Sequence, residues 1–91
     1  MSDSKRFVYV LESKVTTERH YVGLSSNVTT RLTLHNDGLS IHSSSHRPWR
    51  LLVSIEFAEE RTAIAFERYL KSGSGRAFAR RHFTTKPAGA N

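Results

Sequence analysis

Hydrophobic and polar positions change period several times along the chain, and each change marks the boundary of a short element. Residues 5–12 hold a nearly continuous run of β-branched, aromatic and aliphatic side chains, which is typical of a strand covered on both faces. The polar residues 13–18 lead into a second short run over residues 20–22, which Gly23 ends. So short a connection predicts an antiparallel hairpin.

The first predicted helix carries an unusual face. It follows a Ser-Ser-Asn turn whose short side-chain oxygens can cap its N-terminus, and it ends at Asn36-Asp37-Gly38, an ordinary helix stop. Positions i, i+3, i+4 and i+7 make one face of this helix, and such a face is normally apolar. Two of these four positions hold a cation and an imidazole. The face therefore packs polar groups in the core, directs them towards a ligand or turns towards solvent. The four residues are Val28, Arg31, Leu32 and His35.

The second half of the chain predicts one strand and two further helices. Apolar side chains recur at every second residue from Leu51 to Ile55 and predict a third strand after Pro48. Residues 59–71 carry an apolar stripe at helical spacing, with an acidic start and a basic end that complement the helix dipole. A Ser-Gly-Ser-Gly break then separates this helix from a short terminal helix, R-A-F-A-R-R-H-F.

These elements predict the fold class. We expect one α+β domain over residues 1–83, with a small three-stranded antiparallel sheet flanked by helices in the order β-β-α-β-α-α, and a frayed tail over residues 84–91. The segment 39–47 is rich in Ser and His and predicts an exposed loop. His42 and His46 are spaced as zinc ligands can be. No further ligand is nearby, however, so a solvated or phosphate-facing loop is the better interpretation.

The charge of the chain adds a candidate partner. It carries 14 Lys and Arg against 8 Asp and Glu, a net charge of +6. In so short a chain this excess favours a polyanionic partner, above all nucleic acid, bound through phosphate contacts and counterion release. A basic composition that only aids solubility is the alternative. The cations that we expect to bind the nucleic-acid backbone lie in the later loops and towards the C-terminus: Arg47, Arg50, Lys71, Arg76, Arg80 and Arg81.

Several other classes of protein are excluded by composition. The absence of cysteine excludes a disulfide framework and thiolate zinc sites. No apolar run approaches the roughly 20 residues that a membrane helix needs, and the N-terminus lacks the apolar core of a secretory signal. We therefore expect an intracellular, cytoplasmic protein with no membrane partner, and a monomer in preference to an oligomer.

Five short motifs, in order and at suitable spacing, resemble the GIY-YIG nuclease superfamily and in particular its compact single-domain members. Each motif is weak alone, but the ordered set covers most of the chain and is specific. The first motif departs from the eponymous pattern because a phenylalanine occupies the position of the glycine. The motifs are Phe7-Val8-Tyr9, Tyr21-Val22-Gly23, R-x-x-x-H-N from Arg31 to Asn36, Pro48-Trp49, and L-K-S-G-x-G-R from Leu70 to Arg76.

This resemblance implies a catalytic constellation. Carried over by position, the two strand tyrosines of the family are Tyr9 and Tyr21, and the arginine of its first helix is Arg31. The single metal-binding glutamate of the later helix is Glu67, and His35 matches a histidine found in part of the superfamily. Many members also have an asparagine after the glutamate helix. In this chain the next asparagine lies only in the C-terminal tail.

The reaction that the resemblance implies is metal-dependent hydrolysis of phosphodiester bonds in DNA, with single-stranded and branched DNA among the candidate substrates. Glu67 would hold one Mg²⁺ or Mn²⁺ ion, a hard cation suited to oxygen ligands. Arg31 would contact the phosphate and offset its extra negative charge in the transition state. Tyr21 or Tyr9 would take the proton from the attacking water, with help from His35.

Two other kinds of protein stay compatible with the sequence. A nucleic-acid-binding module of the same fold that has lost its chemistry agrees with the altered first motif and the missing asparagine. A basic protein-interaction or structural domain agrees with the charge but leaves Arg31 and His35 on a core-type helix face unexplained. On spacing alone, Glu67 is an edge carboxylate of the kind that is usually solvated or paired with a neighbour such as Lys71.

Overall fold

Three antiparallel strands form one sheet in the computed structural model, which describes residues 4–16, 18–38 and 44–84. The central strand pairs with both of the others, and the order across the sheet is β2-β1-β3. The predicted antiparallel hairpin between the first two strands is therefore confirmed. The strands are β1 (Phe7–Ser13), β2 (His20–Ser25) and β3 (Trp49–Glu56).

Within the described residues, three α-helices and one short 3₁₀ helix accompany the sheet. They are α1 (Val28–Asn36), the 3₁₀ helix Ser44–His46, α2 (Glu60–Leu70) and α3 (Gly73–His82). The element order is β-β-α-β-α-α, so the predicted α+β class is confirmed. Helix α1 contacts β3, whereas α2 contacts β2, β1 and α3. No helix among the described residues has the length and apolar content needed to cross a membrane.

Alternate side chains of β1 enter two separate cores. Val8 and Val10 pack against apolar side chains of α2 and α3 on one face of the sheet. Tyr9 and Leu11 pack with Trp49 on the opposite face, where α1 contributes partly buried apolar residues. All four β1 side chains are at most 1% exposed. The continuous apolar run of β1 is thus explained by burial on both faces, as its pattern predicted.

Two predicted boundaries are wrong, and both involve glycine. Gly23 lies inside β2 and does not end it, because the strand continues to Ser25. Helix α3 begins at Gly73, within the segment predicted as a break. It can begin there because the Ser72 side chain accepts a hydrogen bond from the Gly75 N–H and so caps the helix.

Strand β3 contains a bulge that a regular alternation does not predict. Val53 pairs with Val10 and Leu51 pairs with Leu11, so Leu52 is the extra residue in β3. Leu51 is consequently 40% exposed, although the alternation grouped it with Val53.

The predicted loop 39–47 is described only from Ser44 onwards, so His42 lies outside the described residues. His46 contacts the β1–β2 hairpin: its Nδ1 lies 3.0 Å from Thr16 Oγ1, and its carbonyl accepts a 2.5 Å hydrogen bond from Ser13 Oγ. Within the described ranges, no group of three or more histidine or acidic side chains is arranged to hold a metal ion. Of the predicted tail over 84–91, only Thr84 is described.

Candidate active site

Tyr9 lies at the centre of the candidate site because it belongs to the central strand. It is 1% exposed, and its hydroxyl lies 3.1 Å from His35 Nε2. Its partner across the β1–β2 pairing is Gly23. A Cβ added at Gly23 would lie 2.5 Å from the Tyr9 hydroxyl oxygen, so only glycine leaves room for this phenol. The glycine of the second motif thus makes the space that the tyrosine of the first motif occupies.

Helix α1 places His35 against this phenol. His35 is fully buried, and the helix that carries it is fixed at both ends. At the start, the Asn27 side chain accepts a hydrogen bond from the Thr30 N–H. At the end, the Asn36 side chain accepts from the Trp49 N–H at 2.5 Å and donates to the Trp49 carbonyl at 3.1 Å. The last contact joins α1 to β3 and sets the position of the neighbouring histidine.

Tyr21 enters the site from β2. Its ring centroid lies 4.4 Å from that of His35 and 6.2 Å from that of Tyr9. It also meets the edge of Trp49, with 6.3 Å between centroids. Tyr21 is partly exposed, whereas Tyr9 and His35 are buried. Of the three rings, Tyr21 is therefore the one that solvent or a substrate reaches directly.

Arg31 lies one helical turn before His35 on α1. Its Nε is buried and has no hydrogen-bond partner among the described residues. Burial lowers the pKa of His35, and the positive charge of Arg31 lowers it further. Burial also raises the pKa of Tyr9, although hydrogen bonding and charge from Arg31 act in the opposite direction. A buried donor without a partner is rare in folded proteins and is compatible with an anionic ligand at this position.

Glu67 lies on α2, which packs against the face of the sheet that carries Val8 and Val10. Its side chain is 13% exposed and forms an ion pair with Lys71, one turn later. Burial is the main reason that the pKa of Tyr9 is raised, and the negative charge of Glu67 adds to the increase. The charges of Arg31 and Glu67 therefore both affect the pKa of Tyr9, although α1 and α2 pack on opposite faces of the sheet.

The cations predicted to bind the nucleic-acid backbone have different surroundings. Arg50 donates from Nε and Nη2 to Glu12 Oε1, at 3.0 and 2.6 Å, and so carries a structural role as well. The guanidinium of Arg47 lies against Gly38, which has φ of 77° at the end of α1. The other four are exposed and lie on α3 or just before it: Lys71, Arg76, Arg80 and Arg81.

Glu67 is the carboxylate among the predicted site residues, and one carboxylate suits a divalent cation that keeps several of its waters. Mg²⁺ keeps several waters and is commonly bound through one or two carboxylates together with substrate phosphates. Glu67 is the acidic residue whose charge acts on Tyr9. A cage formed by protein ligands alone would need more donors than this arrangement offers.

Sequence reasoning missed two residues that shape the site, Gly23 and Asn36. Both lie within the quoted motifs, so a signal was present. Their roles depend on the pairing of Gly23 with Tyr9 and on the approach of α1 to Trp49. Neither relation can be read from spacing along the chain.

Comparison with known families agrees with this geometry. A family model described as the GIY-YIG catalytic domain matches residues 5–81 of the chain. No curated protein and no solved structure gives a significant match. The matched span includes both tyrosines, the arginine and histidine of α1, the glutamate of α2 and nearly all of α3.

Proposed function

The chain belongs to the GIY-YIG nuclease family, and on this premise we propose that it is a divalent-metal-dependent nuclease that hydrolyses phosphodiester bonds in DNA. The observation that carries the proposal is the buried Nε of Arg31, which has no hydrogen-bond partner among the described residues. Arg31 lies on α1 one turn before His35, the residue that packs against Tyr9 and Tyr21. A packed core gains nothing from such a group, because burying charge costs free energy. A scissile phosphate, in contrast, needs a cation, a metal ligand and a base around it.

Glu67 and Arg31 have complementary tasks in this mechanism. Glu67 would hold the Mg²⁺ or Mn²⁺ ion, which when bound supplies a Lewis acid for the phosphoryl oxygens. Arg31 would bind the phosphate through its guanidinium, and its unpartnered buried Nε supports an anion at that position. Lys71 forms an ion pair with Glu67, and this pair would have to open for Glu67 to hold an ion.

The exposure of the two tyrosines supports Tyr21 as the general base. A base has to come within hydrogen-bond reach of the attacking water. Tyr21 is partly exposed, whereas Tyr9 is 1% exposed and its hydroxyl lies 3.1 Å from His35 Nε2. Burial also raises the pKa of Tyr9, which keeps its proton in place at neutral pH. Tyr9 and His35 then position Arg31 and Tyr21 and do not contact the substrate.

A cleavage panel tests this function. Single-stranded, duplex and branched DNA and single-stranded RNA, each end-labelled, are incubated with Mg²⁺, Mn²⁺ or EDTA. The parent protein should cut DNA with either metal and not with EDTA. Glu67→Gln and Tyr21→Phe should each lower the rate by about 100-fold or more, since they remove the metal ligand and the base.

Glu59→Gln is the matched control for the metal ligand. Glu59 is exposed, precedes α2 and makes no side-chain capping bond, so this variant should cut at the parental rate. Undiminished cleavage by Glu67→Gln would refute the metal assignment.

The second candidate, a binding module without catalysis, is favoured by the missing asparagine after α2. Tight DNA binding with no cleavage under either metal would establish it in place of the nuclease.

A further inference from the structure

All of the excess positive charge lies in the last part of the chain. Residues 1–67 contain eight Lys and Arg and eight Asp and Glu, so they are electrically balanced. Residues 68–91 contain six Lys and Arg and no acidic residue. The net charge of +6 therefore belongs to a segment that begins directly after Glu67. Within the described residues, most of this segment is the helix α3.

Helix α3 presents its arginines on the face that is turned away from the core. Its inner side packs through Phe78 and Ala79, with Gly75 buried against the Tyr69 carbonyl. The outer positions are all exposed, and they combine arginines with residues that have small side chains: Gly73, Arg76, Ala77, Arg80 and Arg81. Arginines separated by small side chains allow an anionic chain to approach the helix backbone closely.

The stability of the helix accounts only in part for these arginines. Arg76 and Arg80 are like charges at i and i+4, an arrangement that destabilises a helix. Arg76 also follows a first turn that contains no acidic residue, at the end of the helix where a cation is unfavourable. Only the cations of the last turn complement the helix dipole. Helix stability therefore does not account for Arg76, and it accounts only in part for Arg80, which lies one turn from this like charge.

The connection between α2 and α3 is rigid and short. Ser72 caps α3, and Gly75 lies so close to the Tyr69 carbonyl that a Cβ would overlap it. Phe78 contacts Phe66 and Tyr69 of α2, with centroid distances of 6.3 and 5.9 Å. The positive face of α3 is therefore held in a fixed position relative to the carboxylate of α2.

We propose that the outer face of α3 binds the phosphate backbone of the DNA next to the cleaved bond and holds it without reading the bases. This inference rests on the proposed nuclease function for the identity of the polyanion. Arg76, Arg80 and Arg81 contact successive backbone phosphates, and Ala77 permits the close approach. The proposed metal ligand on α2 and the proposed anchor on α3 thus lie on consecutive helices that pack together.

An anionic membrane is a poorer match for this face. Helices that lie in a membrane interface combine their cations with a broad apolar face inserted among the lipids. The apolar side of α3 is already packed against α2 through Phe78 and Ala79, so it is not available for insertion. The outer face offers only arginines and small side chains, which suit phosphates on a flexible or grooved polymer.

The test measures DNA binding in EDTA, so that no cleavage occurs. Fluorescence anisotropy is recorded with a labelled duplex at several NaCl concentrations between 50 and 200 mM. The α3 variant is Arg76→Gln/Arg80→Gln/Arg81→Gln. The matched control is Lys14→Gln/Arg19→Gln/Arg61→Gln, which removes three exposed cations from elsewhere and gives the same net charge.

At 100 mM NaCl the α3 variant should bind the duplex at least about tenfold more weakly than the parent. The slope of log K against log[NaCl] should become less negative by about 2 to 3, because each lost phosphate contact contributes about 0.9 to the slope. The control should stay within about threefold of the parent. Equal losses in both variants would mean that only net charge matters, and no loss in the α3 variant would mean that α3 is not the anchor. Either outcome overturns the proposal.

Three further measurements test the remaining alternatives. Ala77→Glu keeps every arginine but places a bulky negative charge among them, and it should also weaken binding while circular dichroism stays parental. Two duplexes of unrelated sequence should bind with affinities within about threefold; a larger difference would indicate base recognition and overturn the proposal. Binding of the parent to phosphatidylserine vesicles with the same dependence on the arginines would overturn it in favour of a membrane.

The outcome is separable from that of the proposed nuclease function. DNA binding is measured in EDTA and so does not depend on the proposed metal ligand, whereas cleavage does. If cleavage is never observed but the α3 variant loses binding, the nuclease proposal fails and the anchor stands. If cleavage depends on Glu67 but not the α3 arginines, and binding is also unchanged, the anchor alone fails.

Discussion

Because Gly23 has no side chain, the tyrosine of the first motif, Tyr9, has room to lie in the site. An alanine Cβ would lie 2.5 Å from the Tyr9 hydroxyl oxygen, and Tyr9 is held at 1% exposure beside the fully buried His35. The phenol therefore has little room to move. We expect Gly23→Ala to cost about 1–3 kcal/mol, the usual range for overpacking a tight core, and to abolish cleavage. Urea unfolding and the cleavage assay measure the two effects.

Gly73→Ala is the matched control for this substitution. No atom lies within 4 Å of a Cβ added at Gly73, and its φ is not in the left-handed region. Alanine in the first turn of α3 should therefore leave stability unchanged or raise it by up to about 1 kcal/mol. A comparable loss of stability in both variants would show that the contact with Tyr9 is not the cause.

His35 should make the stability of the protein fall in acid. Burial and the charge of Arg31 lower its pKa in the folded state below the usual value of about 6.5. Below that pH the unfolded chain binds a proton that the folded protein does not, so the free energy of unfolding decreases as the pH falls. One such group contributes at most about 1.4 kcal/mol per pH unit.

Urea unfolding at pH 7.5, 6.5 and 5.5 measures this effect. The loss of stability between pH 6.5 and 5.5 should be smaller in His35→Gln than in the parent. His82→Gln, which changes an exposed histidine on α3, should retain the parental dependence. An unchanged dependence in His35→Gln would contradict the assignment.

At the scale of the elements, the position of α1 depends on one side-chain contact with β3. Asn36 bonds both the N–H and the carbonyl of Trp49 and so joins the end of α1 to the start of β3. We expect Asn36→Ala to cost about 1–3 kcal/mol through the loss of these two bonds at a partly buried position. Asn36→Asp keeps the acceptor and should cost less in urea unfolding. Equal stability of the parent and Asn36→Ala would exclude this role.

The elements were predictable from sequence where their signals are local. The continuous apolar run of β1, the stripe of α2 and the stop after α1 each indicate the observed element. The start of α3 and the interior position of Gly23 were not predicted. Gly23 makes room for Tyr9, which is distant in sequence, and α3 begins at Gly73 because the Ser72 side chain caps the helix. The bulge at Leu52 likewise depends on pairing with β1.

The candidate site follows the same division between local and tertiary information. The Arg–His face of α1 was visible from spacing, and the structure places His35 against Tyr9. Glu67 looked like an ordinary edge carboxylate, and its pairing with Lys71 agrees with that pattern. Its influence on Tyr9 arises only from the way α2 packs against β2 and β1. The prediction that Glu67 has a role in the site therefore depends on the family resemblance.

At the scale of the whole molecule, chemistry and substrate holding are assigned to different parts of the chain. The electrically balanced residues 1–67 contain every proposed catalytic side chain, and the basic remainder contains the proposed anchor. Interactions made equally with bound substrate and transition state lower KM, whereas interactions made only in the transition state raise kcat. The two parts should consequently affect different kinetic constants.

The anchor variant Arg76→Gln/Arg80→Gln/Arg81→Gln should raise KM for DNA about tenfold or more and leave kcat within about threefold of the parent, because its arginines bind backbone that does not react. Tyr21→Phe should do the reverse, lowering kcat with little change in KM. Steady-state cleavage of one duplex across a range of concentrations, at fixed Mn²⁺ and salt, separates the two constants. Raising the NaCl concentration should increase KM steeply for the parent and less for the anchor variant, since fewer counterions are released when it binds. A parallel fall of kcat in the anchor variant would mean that α3 helps to align the reacting phosphate, and the division between the balanced and the basic parts of the chain would then be wrong.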